Sequence, residues 1–143
     1  MASWSEVAAE APELAARARA LFDAFTHKTM ATLRRDGSPR ISGTEVEFSG
    51  GELFIGSMSR AVKALDLRRD PRFAIHSGSA DPPDWPGDAK IAGRAEEVSK
   101  PGADSHRFRL DISELVVVRL GDPADHLVIE SWHEGRGVSS IRR

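Results

Sequence analysis

Ser57-Met58-Ser59-Arg60-Ala61-Val62-Lys63-Ala64-Leu65-Asp66-Leu67-Arg68-Arg69-Asp70-Pro71 follows a strand-like run, Glu52-Leu53-Phe54-Ile55-Gly56. The pattern predicts a short helix from Ser59 to Arg69 that Pro71 stops. Small hydroxyl residues stand at its expected start, and Arg60 and Lys63 fall in its first turns. A helix start carries free backbone N–H groups and a partial positive charge. Cations there are locally unfavourable unless an anion joins them, and a bound phosphate supplies one. A Ser-capped surface helix with its basic residues in water fits the same letters. Both readings stand on these residues alone.

Outward from this stretch the period changes. Lys28 to Leu33, Ile41 to Phe48 and Glu52 to Ser57 read as a meander of three antiparallel strands, with turns at Arg35-Asp36-Gly37-Ser38 and Ser49-Gly50-Gly51. Before them, Val7, Ala11, Leu14, Ala18, Leu21, Phe22 and Phe25 recur at spacings of three and four, one apolar face of a helix from Ser5 to Phe25. Pro12 belongs near a helix start, so the regular helix is expected to begin around Ala11. After the central stretch come strands at Arg72 to His76, Asp88 to Val98, within Phe108 to Leu120, and His126 to Trp132. Gly93 marks a bulge or a close backbone approach. A loop, Ser77 to Gly87, carries Trp85, and a basic, glycine-bearing tail runs from Gly135 to Arg143. Six or seven short strands with few helices predict an antiparallel barrel or sandwich.

The chain has 143 residues, one domain by length, and enough to bury a real core. Its net charge of −2 gives no overall pull toward nucleic acid or an anionic membrane, so any anion site is local. There is no cysteine, which excludes disulfides, thiolate catalysis and cysteine-ligated zinc. The N-terminus lacks the basic start and apolar run of a secretory signal, and no later stretch reaches the length of a membrane span, so a cytoplasmic location is expected. The five histidines (His27, His76, His106, His126 and His133) show no zinc-motif spacing. No serine lies in a Gly-x-Ser-x-Gly elbow, and there is no P-loop or Gly-x-Gly-x-x-Gly before a helix. The carboxylate pairs Glu45 with Glu47 and Glu96 with Glu97 read as solvated edges. Trp85 and Trp132 each sit at a strand end or in a loop, where an indole either closes a barrel end or covers a planar ligand.

Three pieces in order carry a resemblance: Ala31-Thr32-Leu33-Arg34-Arg35-Asp36-Gly37-Ser38-Pro39-Arg40; the Ser57 to Pro71 stretch, with proline eight positions after Lys63; and Ile91-Ala92-Gly93-Arg94-Ala95-Glu96. Together they resemble the pyridoxamine 5′-phosphate oxidase-like FMN-binding split-barrel family, which includes flavin and deazaflavin oxidoreductases. The likeness runs from about Phe25 to the C-terminus. It implies a six- to seven-stranded antiparallel split β-barrel with an N-terminal helix and one short helix between strands three and four. Residues 1–26 would be the helix packing on the barrel, and 27–143 the cofactor-binding barrel. It also implies a homodimer with two cofactor sites in the dimer crevice.

Residue by residue, the resemblance places Arg40 and the backbone of Ile41, Ser42 and Gly43 along the ring and phosphate side of the cofactor. Ser57 and Lys63 match the family's phosphate-binding hydroxyl and lysine. Val62 stands where a phosphate-binding arginine is expected, and Arg60, near it in the same stretch, is the candidate replacement. Asp88 stands where the oxidase has a glutamine reaching across the dimer. Trp132 resembles a late tryptophan at the flavin edge, Trp85 is a second candidate to cover a ring, and Arg142 loosely resembles the arginine that follows. The long C-terminal substrate element of the oxidase is not matched, which argues against pyridoxamine phosphate as substrate. The expected activity is hydride transfer between FMN or the deazaflavin F420 and a small organic substrate, with no nucleic acid or membrane partner. Such chemistry needs neither nucleophile nor metal, because the cofactor carries it. A non-enzymatic flavin, heme or tetrapyrrole carrier or sensor on the same barrel is the alternative.

Overall fold

The structure is a computed structural model and describes residues 1–143. Pro12 divides the N-terminal amphipathic stretch in two. Helix α1 spans Trp4–Glu10 and α2 spans Pro12–Ala24, and Ala11 between them has φ −136° and ψ 64°, outside the helical region. As first residue of α2, Pro12 loses nothing by lacking an N–H. Ser3 caps α1, its hydroxyl accepting from the Glu6 N–H.

The strands are β1 (Lys28–Leu33), β2 (Pro39–Thr44), β3 (Glu47–Ser49), β4 (Glu52–Ser57), β5 (Arg72–His76), β6 (Asp88–Glu97), β7 (His106–Leu120), β8 (Leu127–His133) and β9 (Gly137–Arg142). Helix α3, Val62–Arg69, lies between β4 and β5. All strands form one antiparallel sheet in the order β2-β1-β5-β6-β7-β4-β3, with β8 on β7 and β9 on β8. The stretch expected as one strand, Ile41 to Phe48, is two. β2 pairs with β1 and β3 pairs with β4, so they stand at opposite ends of the sheet order. Those ends approach where β2 meets β4, without ladder pairing, and the barrel stays open. The basic, glycine-bearing tail, to which the sequence reading assigns no strand, pairs with β8 as β9.

The split originates in β7. One edge pairs with β6; the other pairs with β4 over His106 to Leu110 and with β8 over Glu114 to Leu120. The β6–β7 register shifts between Ala92 and Gly93, next to the point where β7 changes partner. A Cβ at Gly93 would stand 1.9 Å from the Asp111 carbonyl oxygen, so this approach admits only glycine.

Helices α1 and α2 cover the inner face. Val7, Leu14, Ala18 and Phe22 pack with Met30, Leu53, Ile55, Ile75, Ile91, Phe108, Ile112 and Leu115 in one core. Each large side chain so buried contributes about 1.5–3 kcal/mol. Unpartnered buried polar atoms are costly, and two occur, the hydroxyls of Ser42 and Ser57. No helix is long and apolar enough to cross a membrane.

Candidate functional site

Ser57 ends β4, the chain turns through Met58 to Ala61, and Lys63 is the second residue of α3. The helix begins at Val62, later than the expected Ser59, and Ala61 at its N-cap provides no side-chain cap. Ser59 therefore lies in the turn and caps nothing. Arg60 in the same turn has φ 62°, the left-handed region rarely adopted without glycine. Its side chain is exposed, while its backbone N–H donates to His106 Nε2 at 3.3 Å.

Lys63 reaches back to β2, where its Nζ donates to the Gly43 carbonyl at 2.7 Å. It forms no ion pair with a carboxylate within the subunit. Burial alone pulls its pKa below the usual lysine range. An ammonium has three donors, and here one is spent on the protein. The neighbouring Ser42 hydroxyl on β2 and the Ser57 hydroxyl are both buried with no hydrogen-bond partner. Each such orphan costs about 1–3 kcal/mol. Lys63 thus ties α3 to β2 at the residue after Ser42, and Ser57 ends β4 where the chain turns into α3. What fits such a set is an oxyanion with several acceptor oxygens, such as the phosphate of FMN or of a deazaflavin.

Arg40 is drawn the other way. Its Nε donates to Asp66 Oδ2 at 2.7 Å, and Asp66 also accepts from Thr32 Oγ1 at 2.8 Å and Arg69 at 2.9 Å. Burial by itself would push the Asp66 carboxyl up, but the hydrogen bonds from Arg40, Thr32 and Arg69 outweigh it and hold the pKa below the usual range. Arg40 is thus anchored through Nε beside α3. With Arg34, Arg35 and Arg69 it lines a depression of about 480 Å³ that also touches Val62 and Leu65.

Ile41 is 73% exposed on the outer sheet face. There Ala31, Ala74 and Ala92 line a shallow depression of about 230 Å³ that His76, Lys90 and Glu114 also border. Trp85 and Asp88 lie at β6, three strands from β2, and hold each other: the indole N–H donates to Asp88 Oδ1 at 3.1 Å, and Ser79 donates to the same oxygen at 2.7 Å. Trp132, expected at a flavin edge, is in the core. It is 1% exposed and its indole N–H donates to Glu10 at 2.7 Å, which leaves no surface for a ring. The structure therefore joins Lys63 to Gly43, next to Ser42 on β2, and leaves the Ser42 and Ser57 hydroxyls buried without partners. It places Arg60 in the adjoining turn, sets Arg40 against Asp66, and keeps Trp85, Asp88 and Trp132 elsewhere in the subunit. Asp66 and His106 escape a reading of the sequence, since Thr32, Arg40 and Arg60, which tie them to other elements, lie 26 to 46 positions away.

No protein-family model matches the chain, and comparison with curated proteins gives no match. Solved structures do match. PhzG from Burkholderia lata 383, in complex with tetrahydrophenazine-1-carboxylic acid, is similar with a TM-score of 0.71 at 11% identity, over 94% of this chain and 92% of that one. A pyridoxamine 5′-phosphate oxidase-related, FMN-binding protein from Nostoc punctiforme PCC 73102 gives 0.64 at 15% identity, over 92% and 94%. A heme-binding protein from Mycobacterium smegmatis gives 0.60 at 16% identity, over 88% and 86%. The fold is therefore the split barrel of the pyridoxamine 5′-phosphate oxidase-like proteins, as the sequence resemblance implies.

Proposed function

We propose that the chain is an oxidoreductase that transfers a hydride between a bound flavin, FMN or the deazaflavin F420, and a small organic substrate. One observation carries this reading: the hydroxyls of Ser42 and Ser57 are buried without partners, and a half-buried lysine, Lys63, spends one donor on Gly43, the residue after Ser42. When bound, the ring supplies the hydride chemistry. The chain's own residues bind and orient. Lys63 neutralises the phosphate, Ser57 and Ser42 donate to it, and the uncapped start of α3 adds backbone N–H groups. Arg60 provides a second cation from the turn, and Arg40 a third through nitrogens not held by Asp66. The backbone of Ile41 to Gly43 borders the ring.

In this reading residues 27–143 form the cofactor-binding barrel, residues 1–26 cover it, and the protein works as a cytoplasmic homodimer. The second copy covers the outer face around Ile41, and Trp85 and Asp88 serve the other subunit's site. Light scattering is expected to report a dimer, and titration with FMN and with F420 to show saturable binding of one of them. A clean monomer that binds cofactor removes the shared crevice. A protein that binds neither removes the cofactor reading.

A tetrapyrrole carrier is the second reading, and His76 is the observation behind it. Its Nδ1 lies 2.6 Å from the Ser77 carbonyl oxygen, and its Nε2, on the small-residue face, has only the Asp88 carboxylate nearby, at 3.8 Å. A Soret band after heme addition that His76→Ala abolishes would favour it over the flavin.

A further inference from the structure

The turn between Ser57 and Lys63 is held from a distant part of the sheet. His106 stands directly opposite Ser57 in the β4–β7 ladder, with its side chain 11% exposed. Its Nε2 lies 3.3 Å from the Arg60 nitrogen, at the one non-glycine residue with a left-handed backbone. Its Nδ1 lies 2.9 Å from Glu97 Oε2. A backbone N–H can only donate, so Nε2 must offer a lone pair. The ring proton is then on Nδ1 and is donated to Glu97, which as a carboxylate can only accept. The neutral imidazole satisfies both neighbours at once.

The surroundings fix that arrangement. Arg68 of α3 donates to both Glu97 oxygens, and Ser99 donates to Oε2. Arg68 Nη2 also lies 3.3 Å from Nδ1, but an Nδ1 that carries the ring proton has no lone pair to accept from it, and Nη2 donates to Glu97 Oε2 instead. Phe108 stacks near the ring, with centroids 6.3 Å apart. The charged groups around His106 are thus Glu97 from β6, Arg68 from α3 and Arg60 from the turn. Arg107, next on β7, faces Glu47 and the Phe54 ring.

We propose that His106 is a positioning residue for the anion site: neutral, it clasps the Arg60 N–H and fixes the turn that carries Ser57 to Lys63; protonated, it has no lone pair for Arg60, the turn loosens, and the anion is held less tightly. This rests on reading Ser42, Ser57 and Lys63 as an anion site. The sign separates it from simple electrostatics, in which a new cation near the site tightens anion binding as pH falls.

Sulfate is the probe, because its charge stays constant while phosphate titrates. On the full-length protein, sulfate affinity is expected to fall about three- to tenfold on acidification, the worth of one hydrogen bond. The midpoint should coincide with the His106 imidazole titration followed by NMR in the same samples. His106→Gln keeps a carbonyl oxygen for the Arg60 N–H, so it should hold the neutral-pH affinity within about twofold and lose the pH dependence. Affinity that rises on acidification, or a Gln variant with the wild-type pH profile, overturns the proposal. The Arg60 amide gives a test without ligand: it should be protected from hydrogen exchange at neutral pH and lose protection in His106→Ala. An unprotected amide at neutral pH overturns the clasp by itself. A protected amide in a protein that binds no sulfate overturns the anion site instead.

Discussion

Asp66 and Lys63 lie three positions apart on α3, yet their surroundings are opposites. Asp66 is 2% exposed, and both of its oxygens are taken, by Thr32, Arg40 and Arg69. Lys63 has only the Gly43 carbonyl as an acceptor, and the hydroxyls of Ser42, the residue before Gly43, and of Ser57, at the end of β4, have no partner. A buried polar group without a partner lowers stability, and a protein that keeps several at one spot keeps them for something else. The closed cluster ties α3 to β1 and β2. In the proposed function, the open cluster is what a ligand would occupy.

Substitutions can break this contrast, and the largest effect belongs to the closed side. Asp66→Ala strands two guanidinium groups and the Thr32 hydroxyl, and should lower unfolding free energy by about 3 kcal/mol in a denaturant titration. A loss near zero would mean that the closed cluster is not a structural anchor. Lys63→Ala should do the reverse: cofactor affinity falls by about 1–3 kcal/mol while stability changes by less than about 1 kcal/mol. Unchanged affinity would remove Lys63 from the site. Ser57→Ala relieves an unsatisfied hydroxyl. The ligand-free protein should gain about 0.5 kcal/mol and binding should weaken by about 1 kcal/mol. A clear loss of ligand-free stability would show that the hydroxyl has a partner after all.

Acid sharpens the contrast by the smallest step. Hydrogen bonds from Arg68 first, then from His106 and Ser99, hold the Glu97 carboxyl down from 4.5 to about 2 against a smaller opposing effect of burial. A lowered folded-state pKa stabilises fully above the unfolded value, and that stabilisation is lost as pH falls. Its contribution should therefore be whole above pH 4.5 and disappear toward pH 2. Asp70, held to about 2 chiefly by Arg72, follows the same course from 3.8. Thermal unfolding across this window should show a shallower decline in Glu97→Gln than in the wild type. Equal slopes would mean that the Arg68–Glu97 pairing adds nothing to stability.

The two tryptophans show how far local reading reaches. Both sit near strand ends, and both admit a ligand role from sequence. Trp85 stays half-buried in its loop against Asp88. Trp132 goes inside because α1 and α2 dock over β8, and Glu10, 122 positions away, takes its N–H. The strand from Ile41 to Phe48 divides for a related reason: its two halves find different partners, β1 and β4. The tail becomes a strand because β8 leaves an edge for it.

Backbone chemistry set by neighbours was legible in the letters alone. It includes the helix start at Pro12, the turns, the bulge at Gly93, and the spacing of Ser57, Lys63 and Pro71, because propensity, sterics and short spacing act within a few residues. Which polar groups meet was settled only by tertiary packing. Arg40 met a buried carboxylate, His106 met the turn at Arg60, and two serine hydroxyls met no partner at all. A hydrogen bond depends on position and direction in space, and strands far apart in the chain supply both.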